Sequence, residues 1–375
     1  MKINISQPQH VYRTNKGLLQ ILHIDGWLLL GILILLATSV AIVYSASGGD
    51  EAVTIRQLIR IAFAFALMLV FAQIPPHIIY MFTPWLFLIG ILMLLGVLLF
   101  GEVGKGAQRW LDIGPVKFQP SELMKLVLPI TVAWLFAHSR FPPSMRRLIV
   151  GASLIGFTAS LIVVQPDLGT SLLIAMSGLF VLFFAGLPWK IILASITATV
   201  LSAPVAWHFM HGYQKQRVMT FLNPESDPLG SGYHIIQSKI AIGSGGLDGK
   251  GFMGSTQAHL DFLPESTTDF IFSVFSEEFG LMGVLLLLTL YSLVIARGLY
   301  IASQAQDNFT RLMAASLTMT LFVYIFVNIG MVSGLLPVVG LPLPLISYGG
   351  SSLVTLMISF GILMSIHTHK KLLTD

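Results

Sequence analysis

An all-α polytopic membrane fold, with about ten transmembrane helices in a single domain spanning 1–375, is predicted by three observations. The chain of 375 residues is 55% hydrophobic, only 10% charged and has a mean hydropathy of +0.83, whereas a soluble domain is about a quarter charged. Its apolar residues gather into runs long enough to cross about 30 Å of hydrocarbon. These runs are joined by short connections, except for one long polar, glycine-rich stretch from 210 to 269. The net charge of +4 is too small for a nucleic-acid footprint, so no nucleic-acid partner is expected. With no cysteine there is no disulfide, thiolate nucleophile or cysteine metal site.

The first run covers 26–44. The small residues Ser45-Ala46-Ser47 after it resemble a cleavage site, but the run exceeds a usual signal core, so it reads as a retained helix. Runs near 58–74 and 83–100 follow, then a connection, 101–121, carrying Lys105, Arg109, Trp110 and Lys117. That basic, aromatic-bearing loop suits a diphosphate or an anionic headgroup; interfacial anchoring would also explain Trp110. The fourth run, 122–137, opens on Glu122 and Lys125, spaced i, i+3 for a local salt bridge. Next come 147–164, a Gln165-Pro166-Asp167 corner, 168–187 and 190–209. Asp167 could cap the sixth helix or line a cavity. The last runs lie near 270–296, 311–335 and 346–366.

Ten spans place both termini on one side, and basic residues say which. Lys2, Arg13, Lys16, Arg140, Arg146, Arg147, Lys190, Arg297, Arg311, Lys370 and Lys371 flank the terminal side, against Arg56, Lys105, Arg109 and Lys117 on the other. Both termini are therefore expected in the cytoplasm, and the 210–269 loop, between helices 7 and 8, outside it. Within this loop Tyr233, Ile236 and Ile240 fall on one helical face, which predicts a short amphipathic helix at the interface. Its glycines at 243, 245, 246, 249, 251 and 254 permit the close backbone approach a lined cavity requires.

A long ordered outer loop calls for a function, and its closing edge carries the sharpest candidate. Asp269 stands one residue before an apolar run, where it could serve as a functional carboxylate. Equally, Thr267, Thr268 or Asp269 could cap the helix that follows. Glu277 and Glu278 lie eight and nine residues later, deep enough for at least one to face the bundle interior; pairing with Lys or Arg is the expectation for Glu278. The histidines 208, 211, 234 and 259 lack helical zinc spacing, leaving a carboxylate-held divalent cation, Mg or Mn, open.

Several ordered motifs resemble the SEDS family (shape, elongation, division and sporulation). They are Lys105-Gly106-Ala107-Gln108-Arg109-Trp110-Leu111, Phe118-Gln119-Pro120-Ser121-Glu122, Gln165-Pro166-Asp167-Leu168-Gly169-Thr170 and Asn223-Pro224-Glu225-Ser226-Asp227-Pro228. Further on come Gly230-Ser231-Gly232-Tyr233-His234, Phe262-Leu263-Pro264-Glu265, Thr268-Asp269-Phe270-Ile271-Phe272 and Pro342-Leu343-Pro344-Leu345-Ile346-Ser347-Tyr348-Gly349-Gly350-Ser351. The resemblance implies a ten-helix peptidoglycan glycosyltransferase that polymerises lipid II on the outer face of the bacterial inner membrane. It also implies a class B penicillin-binding protein, the transpeptidase, as partner within the cell-elongation machinery. Carried over, it marks Asp269 as the essential acidic residue and Trp110 as the loop tryptophan. Arg109, Glu122, Lys125, Arg217 and Ser351 also stand at family motif positions.

That activity needs a base for the attacking sugar hydroxyl, cations for the departing diphosphate, and apolar walls for lipid tails. Asp269 is assigned as base or as ligand to a catalytic metal, with Lys105, Arg109, Lys125 and Arg217 as diphosphate clamps. Two other functions fit the same composition: a flippase for lipid II, and a non-catalytic scaffold that recruits the transpeptidase.

Overall fold

The computed structural model describes residues 22–104, 107–113, 116–139, 142–210, 212–223, 231–260, 262–263 and 265–369. Helices occupy all ten apolar runs, but caps rather than hydropathy set their ends. In α1 (Gly26–Ala46) the Asp25 carboxylate accepts from Leu28 N at 2.8 Å. In α2 (Glu51–Gln73) Asp50 accepts from Ala52 N at 2.7 Å, which starts the helix seven residues before its apolar run. α3 (Pro76–Phe100) begins on a proline, whose missing N–H costs nothing in the first turn. Then come α4 (Pro120–Phe136), α5 (Met145–Val164), α6 (Leu168–Phe184) and α7 (Trp189–Phe209).

Seven helices among the described residues are long and apolar enough to cross a membrane, and the chain is a multi-pass membrane protein. The centre of the bundle is α4 with α12 (Asn308–Val332) and α13 (Ser351–Thr368), whose side chains are mostly buried. By contrast every described side chain of α7 is exposed or partly exposed, as an apolar helix at the lipid boundary would be. The imidazoles of His23 and His369 stack at 3.9 Å, so the first and last described residues meet at one end of the bundle.

Two connections depart from the sequence-based expectation. The 101–121 loop is a three-stranded antiparallel meander of β1 (Glu102–Gly104), β2 (Ala107–Ile113) and β3 (Val116–Phe118). Trp110 is paired with Glu102, and Leu111 with Phe118. Strand pairing satisfies backbone groups that a loose loop at the membrane surface would leave to water. The long loop is itself largely helical, with α8 (Gly212–Leu222), α9 (Ser231–Ser244) and the single turn α10 (Thr256–His259). A helix forms where one was expected, α9, but the predicted face of Tyr233, Ile236 and Ile240 is left half-buried or exposed and the helix packs on protein through another face. Ile235 and Ala241 are buried, and Ser238 Oγ lies 2.7 Å from Ser273 Oγ of α11 (Ile271–Ser303) while donating to Val332 O.

α11 is broken at Gly280, whose φ of 59° and ψ of −163° are open only to glycine. The freed groups find partners in the loop: Lys250 N donates to Glu277 O and Gly251 N to Glu278 O, both at 2.9 Å. Leu281 N and Met282 N donate in turn to Gly246 O and Leu247 O. Residues 271–278 are buried, whereas Leu281 and Met282 face outward. The lipid-facing helix therefore starts after the break, and Glu277 and Glu278, both fully buried before it, face the interior as expected of at least one of them. The expected pairing is reversed. It is Glu277 that meets a lysine, Lys250 Nζ at 2.5 Å, with Ser255 Oγ, Thr256 N and Thr256 Oγ1 also donating to it. Glu278 instead accepts from the Ser45 hydroxyl.

Candidate functional site

Asp269 closes the long loop and enters α11 through backbone contacts rather than a cap. The cap position is Phe270, without a side-chain bond, so none of Thr267, Thr268 and Asp269 caps the helix as the sequence allowed. Their three consecutive carbonyls are each held from elsewhere. Tyr348 N donates to Thr267 O at 2.8 Å, Ser347 Oγ to Thr268 O at 2.6 Å, and Asn328 Nδ2 to Asp269 O at 2.9 Å. The donors come from α12 and from the segment 341–348. Pro342 and Pro344 remove N–H groups from that segment and disfavour helix, so α13 begins only at Ser351.

Gly340 lies against the partly buried Asp269 side chain: a Cβ placed on it would stand 3.4 Å from Asp269 Oδ2. Its φ of +71° already favours glycine. Within the same segment Tyr348 is gripped by two cations, Arg56, which the charge pattern marks only as flanking, and Arg60, which no motif marks. Arg56 Nε donates to the Tyr348 hydroxyl at 3.3 Å, and the Arg60 guanidinium sits 4.0 Å from its ring centroid. Their i, i+4 spacing on α2 puts both on one face, and that spacing was the signal available in the sequence. Ser351, partly buried, opens α13 one residue after Gly350, which also neighbours Arg60.

A second group lies around the meander and α4. Asp167 caps α6 by accepting from Thr170 N at 3.2 Å, and Arg109 Nε stands 3.3 Å from its Oδ2. Arg109 Nη2 donates to Pro166 O as well. Asp167 is thus both cap and ion-pair partner, and the meander is tied to the Gln165-Pro166-Asp167 corner. Trp110 is partly buried on β2.

Lys125 and Glu122 form their expected salt bridge at 2.6 Å, but both are buried, with side-chain exposures of 3% and 9%. Lys125 Nζ also lies 5.1 Å from the Tyr324 ring centroid. This corrects the assignment of Lys125 as a diphosphate clamp: its ammonium is enclosed between α4 and α12. Thr355 Oγ1 links the two groups by lying 3.2 Å from Glu122 Oε2 and donating to Ser351 O at 3.0 Å. Lys105 lies outside the described residues, as does the side chain of Arg217 on α8.

Among the described residues no group of three or more His, Asp or Glu side chains is gathered to hold a metal ion. A magnesium-like cation at Asp269 would take the rest of its oxygens from substrate phosphates and water, as such ions commonly do.

The chain resembles proteins already characterised across nearly its full length. Residues 18–372 match the FtsW/RodA/SpoVE family, described as cell cycle protein. The peptidoglycan glycosyltransferase MrdB of Escherichia coli strain K12 is 54% identical over 353 residues, covering 94% of this chain and 95% of that one. A solved chain from a peptidoglycan synthase complex, described as coordinating polymerization and crosslinking, superposes with a TM-score of 0.80 at 32% identity. It covers 92% of this chain and 97% of its own. The crystal structure of the Thermus thermophilus rod shape determining protein RodA gives 0.70 at 28% identity, covering 92% and 98%.

Proposed function

This chain belongs to the FtsW/RodA/SpoVE family of cell cycle proteins, also called SEDS, and from that premise we infer that it is a peptidoglycan glycosyltransferase polymerising lipid II. The observation that carries the reading is the 340–351 segment. It joins the backbone before Asp269, held by Tyr348 N and Ser347 Oγ, to the Tyr348 side chain that meets Arg56 and Arg60.

Lipid II presents an anomeric sugar on a polyprenyl diphosphate. Passing from an α-linked donor to a β-1,4 product inverts that carbon, which suits one displacement by the acceptor's 4-hydroxyl. The Asp269 carboxylate takes the hydroxyl proton as the new C–O bond forms, and undecaprenyl diphosphate leaves with the electron pair of the broken bond. Arg56, Arg60 and Arg109 supply cations for that developing charge, in a site where fixed charges need no reorganisation. Trp110 and the first turn of α13 at Ser351 flank the sugars. Glu122 and Lys125 act behind them by fixing α4 to α12. A Mg²⁺ or Mn²⁺ ion bound at Asp269 would add charge stabilisation of the diphosphate.

In this reading the protein lies in the bacterial inner membrane with both termini in the cytoplasm and Asp269 opening towards the periplasm. Its partner is a class B penicillin-binding protein of the elongation machinery, whose transpeptidase crosslinks the strands made here.

The test is polymerisation of lipid II by the purified chain, alone and with a class B penicillin-binding protein, with and without chelator. Asp269→Asn should lower the rate by about 10²–10⁴-fold while leaving the protein folded. Full activity in that variant overturns the assignment of Asp269. In liposomes, lipid II transport without polymer would instead establish a flippase.

A further inference from the structure

We propose that Asn328 is a positioning residue for the transfer reaction, acting through the backbone of Asp269; the assignment rests on the glycosyltransferase reading above. Asn328 lies on α12, four residues before its end, and is fully buried. Its single amide nitrogen spends both protons on carbonyls of different segments: Asp269 O at 2.9 Å and Leu341 O at 2.7 Å. The first carbonyl belongs to the residue proposed as base. The second stands one residue after Gly340, against which the Asp269 carboxylate lies. One side chain therefore ties the backbone that carries the carboxylate to the backbone that forms its floor.

Two details make this more than an ordinary buried hydrogen bond. The orientation of the amide is forced, because a flipped side chain would set its oxygen against two carbonyl oxygens. Asn328 Oδ1 makes no hydrogen bond among the described residues, so the hydrogen bonding of this side chain there is confined to the two carbonyls it donates to. Nearby contacts act in the same direction. Ser347 Oγ donates to Thr268 O at 2.6 Å and accepts from Leu343 N at 2.7 Å, so the residues before Asp269 are sewn to the 341–348 segment at successive positions.

The role predicts a kinetic signature. Asn328 bonds the backbone of Asp269 rather than its carboxylate, so removing it should leave donor binding intact and loosen the aim of the base. A misplacement near 1 Å costs up to about 10²-fold in rate. Asn328→Leu keeps the volume and removes both donors; its kcat for lipid II polymerisation should fall roughly 10- to 100-fold with KM within about threefold of wild type. The control is Asn308, which makes the corresponding stitch at the far end of the same helix by donating to Ser139 O at 3.3 Å and Ala137 O at 3.5 Å. Asn308→Leu should lower the melting temperature while leaving kcat unchanged.

Equal kcat in wild type and folded Asn328→Leu overturns the proposal, as does an equal loss in Asn308→Leu. If Asn328→Leu does not fold, Ser347→Ala decides: a kcat loss at constant KM supports the clamp, and unchanged kcat overturns it. Wild-type protein that makes no polymer, alone or with its partner, sinks the glycosyltransferase reading itself; active wild type beside active variants sinks only the positioning role.

Discussion

Asp269 was visible as an ionisable residue at the start of an apolar run, and the contacts that define its pose were not. Tyr348, Ser347 and Asn328 reach the three carbonyls from 59 to 81 positions away in the chain, and no local pattern records such pairings. Arg56 and Arg60 were legible as cations, but their shared target, Tyr348, lies 292 residues from Arg56. Replacing Arg60 with Ala should lower kcat/KM for lipid II by about 10²-fold if it faces the departing diphosphate. Lys there should recover part of the loss, since it keeps the charge without the planar stack; steady-state kinetics at fixed ionic strength checks both. Gly340→Ala is expected to lower kcat as well, because it demands a left-handed backbone of a residue with a Cβ, at about 1–2 kcal/mol, in the segment that lies in contact with Asp269 Oδ2.

Helices declare themselves by composition, and breaks within them by geometry. The run beginning at 270 looked continuous because every residue around Gly280 is compatible with a helix except that glycine. Only the loop pairing with Gly246, Leu247, Lys250 and Gly251 shows why the break is tolerated. A Cβ at Gly280 would stand 2.4 Å from Gly249 N and 2.5 Å from Leu247 O. Gly280→Ala should therefore destabilise the protein by about 1–3 kcal/mol or more and increase amide exchange across 245–251, measured by mass spectrometry. Glu277→Gln keeps the shape of that junction but loses the charge that Lys250 Nζ meets. Lys250 is about one-third exposed, so a cost of about 1–3 kcal/mol is expected, read as a lower melting temperature. The meander at 102–118 escaped sequence reading for a related reason: short strands carry too few alternations to separate from a polar loop.

At the scale of the molecule, the end of the bundle where α1 starts and α13 finishes is closed by a charged cluster. Asp25 is held at 2.6 Å by Arg297 Nη2, and His367 Nδ1 stands 2.9 Å away. Burial alone would raise the Asp25 carboxyl, but the bonds from His367, Arg297 and Leu28 N–H outweigh it and hold the group below the usual carboxylate range. A lowered folded value means that this contribution is fully present above the unfolded pKa of about 3.9 and is lost as pH falls through the folded value. The melting temperature in detergent should accordingly fall on acidification below about pH 4, and Asp25→Asn should lower it at pH 7 and flatten that acid limb. Sequence by itself determined the membrane class, the ten apolar segments, the long polar loop and Asp269 as the residue to test. Hydropathy, charge asymmetry and ordered motifs are properties of neighbouring residues, and they survive without a fold. Tertiary structure decided which cations meet which side chains, that Lys125 is enclosed by Glu122, that α11 breaks at Gly280, and that Asn328 holds the backbone of Asp269. Each of those depends on groups far apart in the chain meeting in a low-dielectric interior, where a buried polar atom must find a partner that only the folded bundle supplies.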